Sequence, residues 1–256
     1  METHHLLYVD ILGFAELTKS NPAKVEDIFR IITKMRKRTE SVYDILIFSD
    51  TVLVTNRGTP ATADDQMLCV QWLFEFAVDL QYQLSQFDVY HRAVMVNGEF
   101  NSYKQEGVDC FYGQALIDAY RKEKDIKCAG LFLDKSSNQH HGGFPTIRHS
   151  EDLVFAYTSD SLEEHAKYSG GGVVLDKIIL EETDSCWLLT YDVKYLSQLY
   201  RHGREHPDPE VRIKFLTAFN YYEQRYPKLV RALVDSKFDV RVICKDYNWS
   251  QQVYYS

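Results

Sequence analysis

The sequence lacks several features that mark whole classes of protein. Its longest apolar runs, such as residues 6–9 and 45–48, are far shorter than the roughly 18 residues that a membrane-spanning helix needs. Only twelve glycines and six prolines occur in 256 residues, and no segment is of low complexity, which excludes collagen-like and disordered chains. The N-terminus, METHHLLYVD, has no basic region followed by an apolar core, so we expect a complete cytoplasmic protein without a signal peptide.

Cysteines are few and show no pairing pattern. They are odd in number, widely spaced and without a CxxC pair, and they stand at Cys69, Cys110, Cys128, Cys186 and Cys244. This spacing predicts neither a disulfide framework nor a structural zinc site. We expect reduced cysteines that act as small buried hydrophobic residues.

Positive charge is also scarce, because 29 lysines and arginines stand against 37 aspartates and glutamates and leave a formal charge of −8. Proteins that bind nucleic acid or anionic lipid without sequence specificity usually present a basic face to the phosphates. We therefore expect neither a nucleic-acid partner nor a membrane partner. A substrate that contains phosphate would need a metal ion to help neutralise its charge.

Strand-like and helix-like patterns alternate along the first half of the chain. Strands are indicated by apolar, extended-type runs, and helices by apolar residues that recur every 3.6 positions. The order is strand, helix, hairpin, helix, strand, which predicts an α+β fold. The predicted elements are a strand at 4–11, a helix at 21–38, a hairpin at 41–55, a helix at 64–87 and a strand at 90–98.

The second half of the chain continues this alternation before it becomes helical beyond Tyr195. The tail is amphipathic and is bounded by prolines, which predicts a helical extension rather than a second core. We therefore predict a catalytic domain at residues 1–196 and a helical C-terminal extension at 197–256. The predicted elements are a helix at 112–125, a strand at 128–133, a second hairpin formed by 173–180 and 186–193, and a helix at 211–226.

Two aspartates stand where predicted strands end. Asp10 lies inside the apolar run VDILGF, where an unpaired carboxylate would cost several kcal/mol, and Asp50 lies at the tip of the first hairpin. If the first strand pairs beside that hairpin, both carboxylates reach one edge of the sheet. Magnesium and manganese prefer oxygen ligands, so this arrangement suits a two-metal site. The alternative is that each aspartate merely caps a turn.

The residues around both aspartates resemble the class III nucleotidyl cyclases. The catalytic domain of that family begins with an F-x-D-I-x-G-F strand and carries a second metal-binding Asp at a hairpin tip, and YVDILGF and IFSDTV are similar to these motifs. The resemblance implies that Asp10, the backbone carbonyl of Ile11 and Asp50 bind two divalent ions, Mn²⁺ or Mg²⁺. It also implies a cyclase palm with a ferredoxin-like βαββαβ core.

Two later motifs extend the resemblance, which reaches residue 196 or so. RAVMVNG resembles the family's R-x5-G strand and implies that Arg92 binds the triphosphate. YGQALIDAYR resembles its G-x3-N-x3-R helix and implies that Arg121 stabilises the charge that develops during the reaction. The alternatives are a pair between Arg92 and a surface acid, and a solvated salt-bridge face for Arg121, which the charged run KEKD follows.

Two positions depart from the purine cyclases. Leu46 stands four residues before Asp50, where adenylate cyclases have a lysine that reads the purine. Ile117 replaces the asparagine of the helix motif, so that Asn97 or Asn101 would have to substitute for it. The resemblance therefore implies that adenine is not the base that this chain selects.

Arg38 and Tyr43 form an R-x4-Y arrangement that resembles the bacterial pyrimidine cyclases of antiphage signalling. The resemblance implies that Tyr43, Arg92, Phe14 and Arg38 bind substrate. A tyrosine hydroxyl can hydrogen-bond a pyrimidine edge, although Tyr43 is equally compatible with a core aromatic residue on a strand. His140 and His141 have no carboxylate or thiol at ligand spacing, so we interpret them as polar loop residues.

The resemblance implies a lyase that converts UTP to 3′,5′-cyclic UMP and pyrophosphate, as a second messenger in antiphage defence. The alternatives are a cytidylate cyclase that makes cyclic CMP, and a catalytically degenerate module that dimerises or senses a nucleotide. The resemblance implies a head-to-tail homodimer with shared active sites. In such a dimer Asp10 and Asp50 of one subunit and Arg121 of the other would be catalytic.

Overall fold

The computed structural model describes residues 3–39, 42–183 and 188–249, with the backbone alone for residues 37–39. The chain divides into two compact units, residues 1–158 and 159–256. Within the described ranges, no helix has both the length and the apolar character that a bilayer crossing demands.

The first unit combines strands and helices. Its strands are β1 (Thr3–Ile11), β2 (Tyr43–Phe48), β3 (Thr51–Asn56), β4 (His91–Glu99), β5 (Asn101–Gln105), β6 (Val108–Tyr112), β7 (Gly130–Asp134), β8 (Thr146–Arg148) and β9 (Leu153–Ala156). Its helices are α1 (Phe14–Ser20), α2 (Pro22–Thr39), α3 (Ala63–Ser85), α4 (Gln114–Asp125) and α5 (Lys135–Asn138).

A seven-stranded sheet organises this unit, in the order β2-β3-β1-β4-β7-β9-β8. Strand β1 is central and runs antiparallel to both β3 and β4. The succession β1, α2, β2, β3, α3, β4 with the sheet order β2-β3-β1-β4 is the ferredoxin-like βαββαβ arrangement. The predicted α+β class and its core are therefore confirmed.

One face of the sheet carries the hydrophobic core. Successive side chains of a strand point to opposite faces, and Leu7, Val9 and Ile11 of β1 share this one. They belong to one buried cluster with apolar residues of α2 and α3, including Ile32 and Leu73. Burial of this cluster explains why the two amphipathic helices could be predicted from their apolar periodicity.

The opposite face carries the first of the two aspartates. Asp10 pairs directly with Thr51 on β3 and with Arg92 on β4, and residues that pair across strands share a face. Helix α4 packs on this side, where the ring of Tyr120 meets that of Tyr8 edge-on with 6.4 Å between centroids. Asp10 therefore lies at the border of the surface that α4 covers.

Two motif glycines allow α4 to approach the sheet. A Cβ at Gly98 would lie 3.4 Å from the Cβ of Ala115, the limit of comfortable contact. Gly113 precedes α4 with φ of 150°, and a Cβ there would collide with the carbonyl of Glu99. Glycine is required at this second position because no other residue tolerates both the backbone conformation and the contact.

Strands β5 and β6 form a separate hairpin that the sequence did not predict. It turns at Glu106 and Gly107, both with positive φ, as two-residue hairpin turns require. Its apolar side chains are largely exposed, with Val108 at 63% and Tyr112 at 53%. The hairpin lacks a buried face, and this is why alternation of apolar residues gave no signal for it.

The second unit is helical, which confirms the helical character of the C-terminal extension. Its helices are α6 (Asp160–Tyr168), α7 (Lys177–Glu182), α8 (Leu189–Glu205), α9 (Pro209–Arg225), α10 (Pro227–Asp235) and a 3₁₀ helix, Val240–Val242. The predicted domain boundary at 196/197 falls inside α8, a continuous helix, whereas the compact units divide at 158/159.

The predicted second hairpin is wrong. Its two runs, 173–180 and 186–193, lie in and around α7 and α8, and residues 184–187 are outside the described part of the chain. The Asp176 side chain caps α7 by accepting a hydrogen bond from the Ile178 amide at 2.8 Å. Short apolar runs fit a strand or a helix equally well, and the cap decides for the helix.

Candidate functional site

The structure brings Asp10 and Asp50 together. Asp10 lies near the end of β1 opposite Thr51, the first residue of β3, and Asp50 immediately precedes Thr51 in the β2–β3 turn. The amide of Ile11 donates a hydrogen bond to the backbone carbonyl of Asp50 at 2.9 Å. Ser49 adopts a positive φ of 56°, which makes the turn tight enough to hold Asp50 beside β1.

Tyr8 lies close to both carboxylates. It is two residues before Asp10 on β1 and therefore on the same face, and its hydroxyl lies 3.3 Å from that of Thr51. Burial raises the pKa of the Tyr8 phenol, and the carboxylates of Asp10 and Asp50 raise it further. Sequence reasoning missed Tyr8, although the strand period of two places it beside Asp10.

Arg92 is buried and already committed to three partners. Its Nη2 lies 3.2 Å from Oδ2 of Asp10 and also pairs with the buried carboxylate of Glu123 on α4. Its Nη1 donates to the carbonyl of Ile126 at 2.6 Å. The predicted triphosphate contact is not preformed, because this guanidinium faces two carboxylates of its own chain. The alternative prediction, that Arg92 pairs with an acidic residue, is confirmed, but one of its two partners, Glu123, is buried and not on the surface.

Helix α4 places Arg121 and Ile117 at the surface. Arg121 is exposed and, within the described part of the chain, forms no ion pair with either aspartate. Ile117, at the position of the motif asparagine, is 45% exposed. Arg121 is therefore exposed and, in the described chain, not paired with Asp10 or Asp50 of its own subunit.

Tyr43 does not reach this site. It lies at the start of β2, and its partner Asn56 ends β3, whereas Asp50 is in the turn at the other end of the hairpin. Its ring lies in the core, on the sheet face opposite Asp10, and contacts Phe76 edge-on at 6.3 Å. Burial raises the pKa of its phenol, and it lines a cavity of about 200 Å³ on the α3 side of the sheet. The structure thus places Tyr43 as a core aromatic residue, away from the Asp10–Asp50 pair of its own chain.

The remaining predicted substrate residues are Phe14 and Arg38. The Phe14 side chain is in the core, with its ring centroid 5.9 Å from that of Phe29, so the predicted substrate contact of this side chain is wrong. Arg38 belongs to α2, but its side chain is outside the described part of the structure.

Neither asparagine that could replace the motif residue is suitably placed. Asn97 lies on the core face opposite His5 and bonds that ring at 2.9 Å and Gln66 at 3.2 Å. Asn101 lines a polar cavity of about 200 Å³ with His4 and Asp44, at the end of the sheet remote from Asp10. Neither amide can therefore serve the Asp10–Asp50 pair of the same chain.

The donor set of the site fits a hard divalent cation. Asp10 and Asp50 supply carboxylate oxygens, and Asp10 is partly open to solvent, with 22% of its side chain exposed. Within the described residues, no three His, Cys, Asp or Glu side chains converge as a closed metal cage. Magnesium and manganese suit such a site, because they use one or two carboxylates and take their other ligands from water and phosphate. His140 and His141 follow α5 in the chain, and the ring of His140 meets that of His5 edge-on at 5.7 Å between centroids.

Comparison with known proteins gives structural likeness alone. No family model matches the chain, and no curated protein matches its sequence. The guanylyl cyclase domain of the RhoGC fusion protein from Blastocladiella emersonii is similar at 16% identity and a TM-score of 0.48, with 60% of this chain and 94% of that one covered. The adenylyl cyclase CyaB from P. aeruginosa is similar at 12% and 0.45, covering 61% and 94%.

A third solved structure, the guanylate cyclase domain of RhGC from Catenaria anguillulae in complex with GTP, is similar at 16% identity and a TM-score of 0.47, with 60% of this chain and 97% of that one covered. Because these identities are 16% or less and the TM-scores are below 0.5, the comparisons carry no argument about function. The function of this chain is therefore argued from its own residues.

Proposed function

We propose that this chain is a nucleotidyl cyclase that acts on a pyrimidine nucleoside triphosphate. The observation that carries the proposal is the meeting of Asp10 and Asp50 beside Tyr8 on one face of the sheet. Two carboxylates held by adjacent strand ends, one of them partly open to solvent, suit a metal-assisted phosphoryl transfer. The resemblance of YVDILGF and IFSDTV to cyclase motifs points to the same chemistry.

Asp10, Asp50 and the carbonyl of Ile11 would hold two divalent ions, Mn²⁺ or Mg²⁺. Bound there, such ions would lower the pKa of the ribose 3′-hydroxyl and neutralise the charge of the departing pyrophosphate. The backbone hydrogen bond between Ile11 and Asp50 fixes the separation of the two main-chain segments that carry the carboxylates. Asp10 and Asp50 could therefore bind the ions without a prior rearrangement of the hairpin.

Arg121 would act in a second subunit. It is exposed on α4 and, among the described residues, forms no ion pair with the aspartates of its own chain, which suits a head-to-tail homodimer in which each arginine completes the site of the partner. Its guanidinium would stabilise the charge on the phosphoryl oxygens as the bond to pyrophosphate breaks.

The choice of UTP, with cyclic CMP formation from CTP as the alternative, rests on the resemblance to the pyrimidine cyclases, which Leu46 supports because it replaces the lysine that reads the purine in adenylate cyclases. The same resemblance suggests a messenger in antiphage defence. Tyr43 is not the residue that reads the base, because it lies on the core face of the sheet.

A second candidate function is a nucleotide-binding module without turnover. It is favoured by Arg92, which pairs with Asp10 and Glu123, and by the exposed Ile117 where the motif has asparagine. Such a module would bind a triphosphate and leave it intact.

One experiment separates these functions. The purified chain is incubated with ATP, GTP, CTP and UTP in the presence of Mn²⁺, and the products are identified by mass spectrometry, with the Asp50→Asn variant as control. We expect cyclic UMP above all other products, and none from the control. Binding of a nucleotide without a cyclic product would support the module, and faster cyclisation of a purine would refute the pyrimidine assignment.

A further inference from the structure

Glu123 is a buried carboxylate for which the proposed chemistry has no use. It lies on α4 with only 5% of its surface exposed, although it belongs to the charged run KEKD that follows Arg121. A buried carboxylate is costly unless a cation and hydrogen bonds compensate it. Its cation is Arg92, the same residue that pairs with Asp10.

Arg92 is thus shared between a carboxylate at the site and a carboxylate behind it. Asp10, Arg92 and Glu123 carry a combined charge of −1, whereas Asp10 and Arg92 alone would be neutral. The Nε of Arg92 is buried and has no hydrogen-bond partner in the described part of the chain. Oε1 of Glu123 is likewise buried without a hydrogen bond among the described residues. Because Nη2 already lies against Glu123 and is 3.2 Å from Asp10, the guanidinium can move away from Asp10 without leaving its second carboxylate.

We infer that Glu123 is a positioning residue that sets the cation affinity of the site by competing with Asp10 for Arg92. This inference rests on the proposed function, because it assigns a divalent cation to Asp10. When a cation binds, repulsion drives Arg92 from Asp10, and Glu123 receives its positive charge. Without Glu123, Arg92 would remain on Asp10 and oppose the incoming cation.

The same contact links the cation site to the helix that carries Arg121. Glu123 is two residues from Arg121 on α4, and the intervening Lys122 pairs with Asp134 at 2.5 Å. Both ion pairs anchor this turn to the sheet, one through β4 and the other through β7. A shift of Arg92 would therefore be transmitted through Glu123 to the turn of α4 that carries Arg121.

The test measures Mn²⁺ binding to the full chain without nucleotide, from the electron paramagnetic resonance signal of free Mn²⁺. Glu123→Gln should raise the dissociation constant about tenfold, since the local charge changes from −1 to 0. Glu123→Asp keeps the charge and should stay within about threefold of the parent. The double variant Arg92→Gln/Glu123→Gln restores the charge of −1 without burying an unpaired ion, and should bind as the parent does.

Two controls define the site and the helix. Asp10→Asn should abolish the binding that these variants modulate. Asp118→Asn also removes a negative charge from α4. Among the described residues, the side chain of Asp118 accepts a hydrogen bond from Gln114 at 2.8 Å and forms no ion pair, so this variant should leave the Mn²⁺ affinity unchanged. Circular dichroism spectra and melting curves verify that each variant is folded.

The inference is overturned if folded Glu123→Gln binds Mn²⁺ within about twofold of the parent, or if the double variant is no tighter than Glu123→Gln. If Glu123→Gln does not fold, the double variant alone tests the inference. Weaker Mn²⁺ binding by the double variant than by the parent would then refute the idea that Asp10 and Glu123 share Arg92 as their counter-ion. The cyclisation assay separates this outcome from the proposed function. If the variants show the expected order of Mn²⁺ affinities but the parent forms no cyclic product, only the cyclase proposal is refuted. If the parent forms a cyclic product but Glu123→Gln binds Mn²⁺ as tightly as the parent, only this inference is refuted.

Discussion

The amide of Ile11 donates to the backbone carbonyl of Asp50 at 2.9 Å, so the two residues that border the candidate cation site are joined through their main chains. Side-chain changes at Asp10 or Asp50 leave this bond in place. The geometry of the site can therefore be separated from its charge.

Asp10→Asn and Asp50→Asn should each reduce cyclisation by roughly a hundredfold or more, because either change removes one carboxylate from a site that has only two. The steady-state rate with UTP and Mn²⁺ measures this effect. Melting temperatures close to that of the parent would show that the fold is intact. Turnover within a few-fold of the parent in either folded variant would contradict the two-metal assignment.

Mixing two inactive variants should restore activity if Arg121 serves the partner's site. In a mixture of Asp50→Asn and Arg121→Ala subunits, a mixed dimer has one intact site, so random exchange predicts about a quarter of the parent activity. Each variant by itself is the control, and exchange is verified with differently tagged subunits. An inactive mixture with proven exchange would place the whole site in one chain.

Tyr43→Phe should leave the order of preference among the four nucleotides unchanged, because the phenol lies on the core face of the sheet. Tyr43→Ala should instead lower the free energy of unfolding by about 3 kcal/mol, since it opens a cavity beside Phe76. Denaturant titrations and relative turnover measure the two effects. A changed base preference in Tyr43→Phe would show that the hydroxyl reaches the substrate.

Acid should weaken the fold through His5. Its ring is buried and bonds Gln66 at 2.5 Å, and burial lowers the pKa of His5 to about 4 from an ordinary value near 6.5. The folded state therefore prefers the neutral ring. This contribution is complete above pH 6.5 and is lost as the pH falls towards 4.

Between pH 7 and pH 5 the loss should amount to about 1–2 kcal/mol in the free energy of unfolding. His5→Gln should reduce that difference, and urea titrations at both pH values measure it. An identical pH dependence in the variant would show that His5 is not the titrating group. Burial also lowers the pKa of His91 to about 4. His91 therefore contributes its own pH dependence to the free energy of unfolding, and His5→Gln retains that contribution.

Gly113→Ala should displace α4, because its Cβ would strike the carbonyl of Glu99. We expect a loss of about 2–3 kcal/mol in the free energy of unfolding, together with loss of cyclisation. Gly107→Ala is the matched control, with φ of 88° and open space around the new Cβ, and should cost only about 1 kcal/mol. Equal losses in the two variants would show that backbone strain alone is responsible.

Part of the site was predictable because strand alternation is local. The apolar run that ends at Asp10 and the hairpin that turns at Asp50 are visible in the sequence, and pairing of β1 with β3 follows from the ferredoxin-like order. The same alternation could have excluded Tyr43. It stands an odd number of residues before Leu46, so the two side chains point to opposite faces of β2.

Up to residue 98 the sequence by itself determined the order of strands and helices except for the short helix α1, because periods of 2 and 3.6 residues report which face of each element is buried. It also identified Asp10 and Asp50 as candidate site residues. Only the tertiary structure decided that Glu123, in the charged run RKEKD, is buried against Arg92 and that Arg92 is held on Asp10. The burial of a charged residue depends on a partner that arrives from a distant strand. The free energy of that pair is a property of the assembled fold, and no local pattern of residues records it.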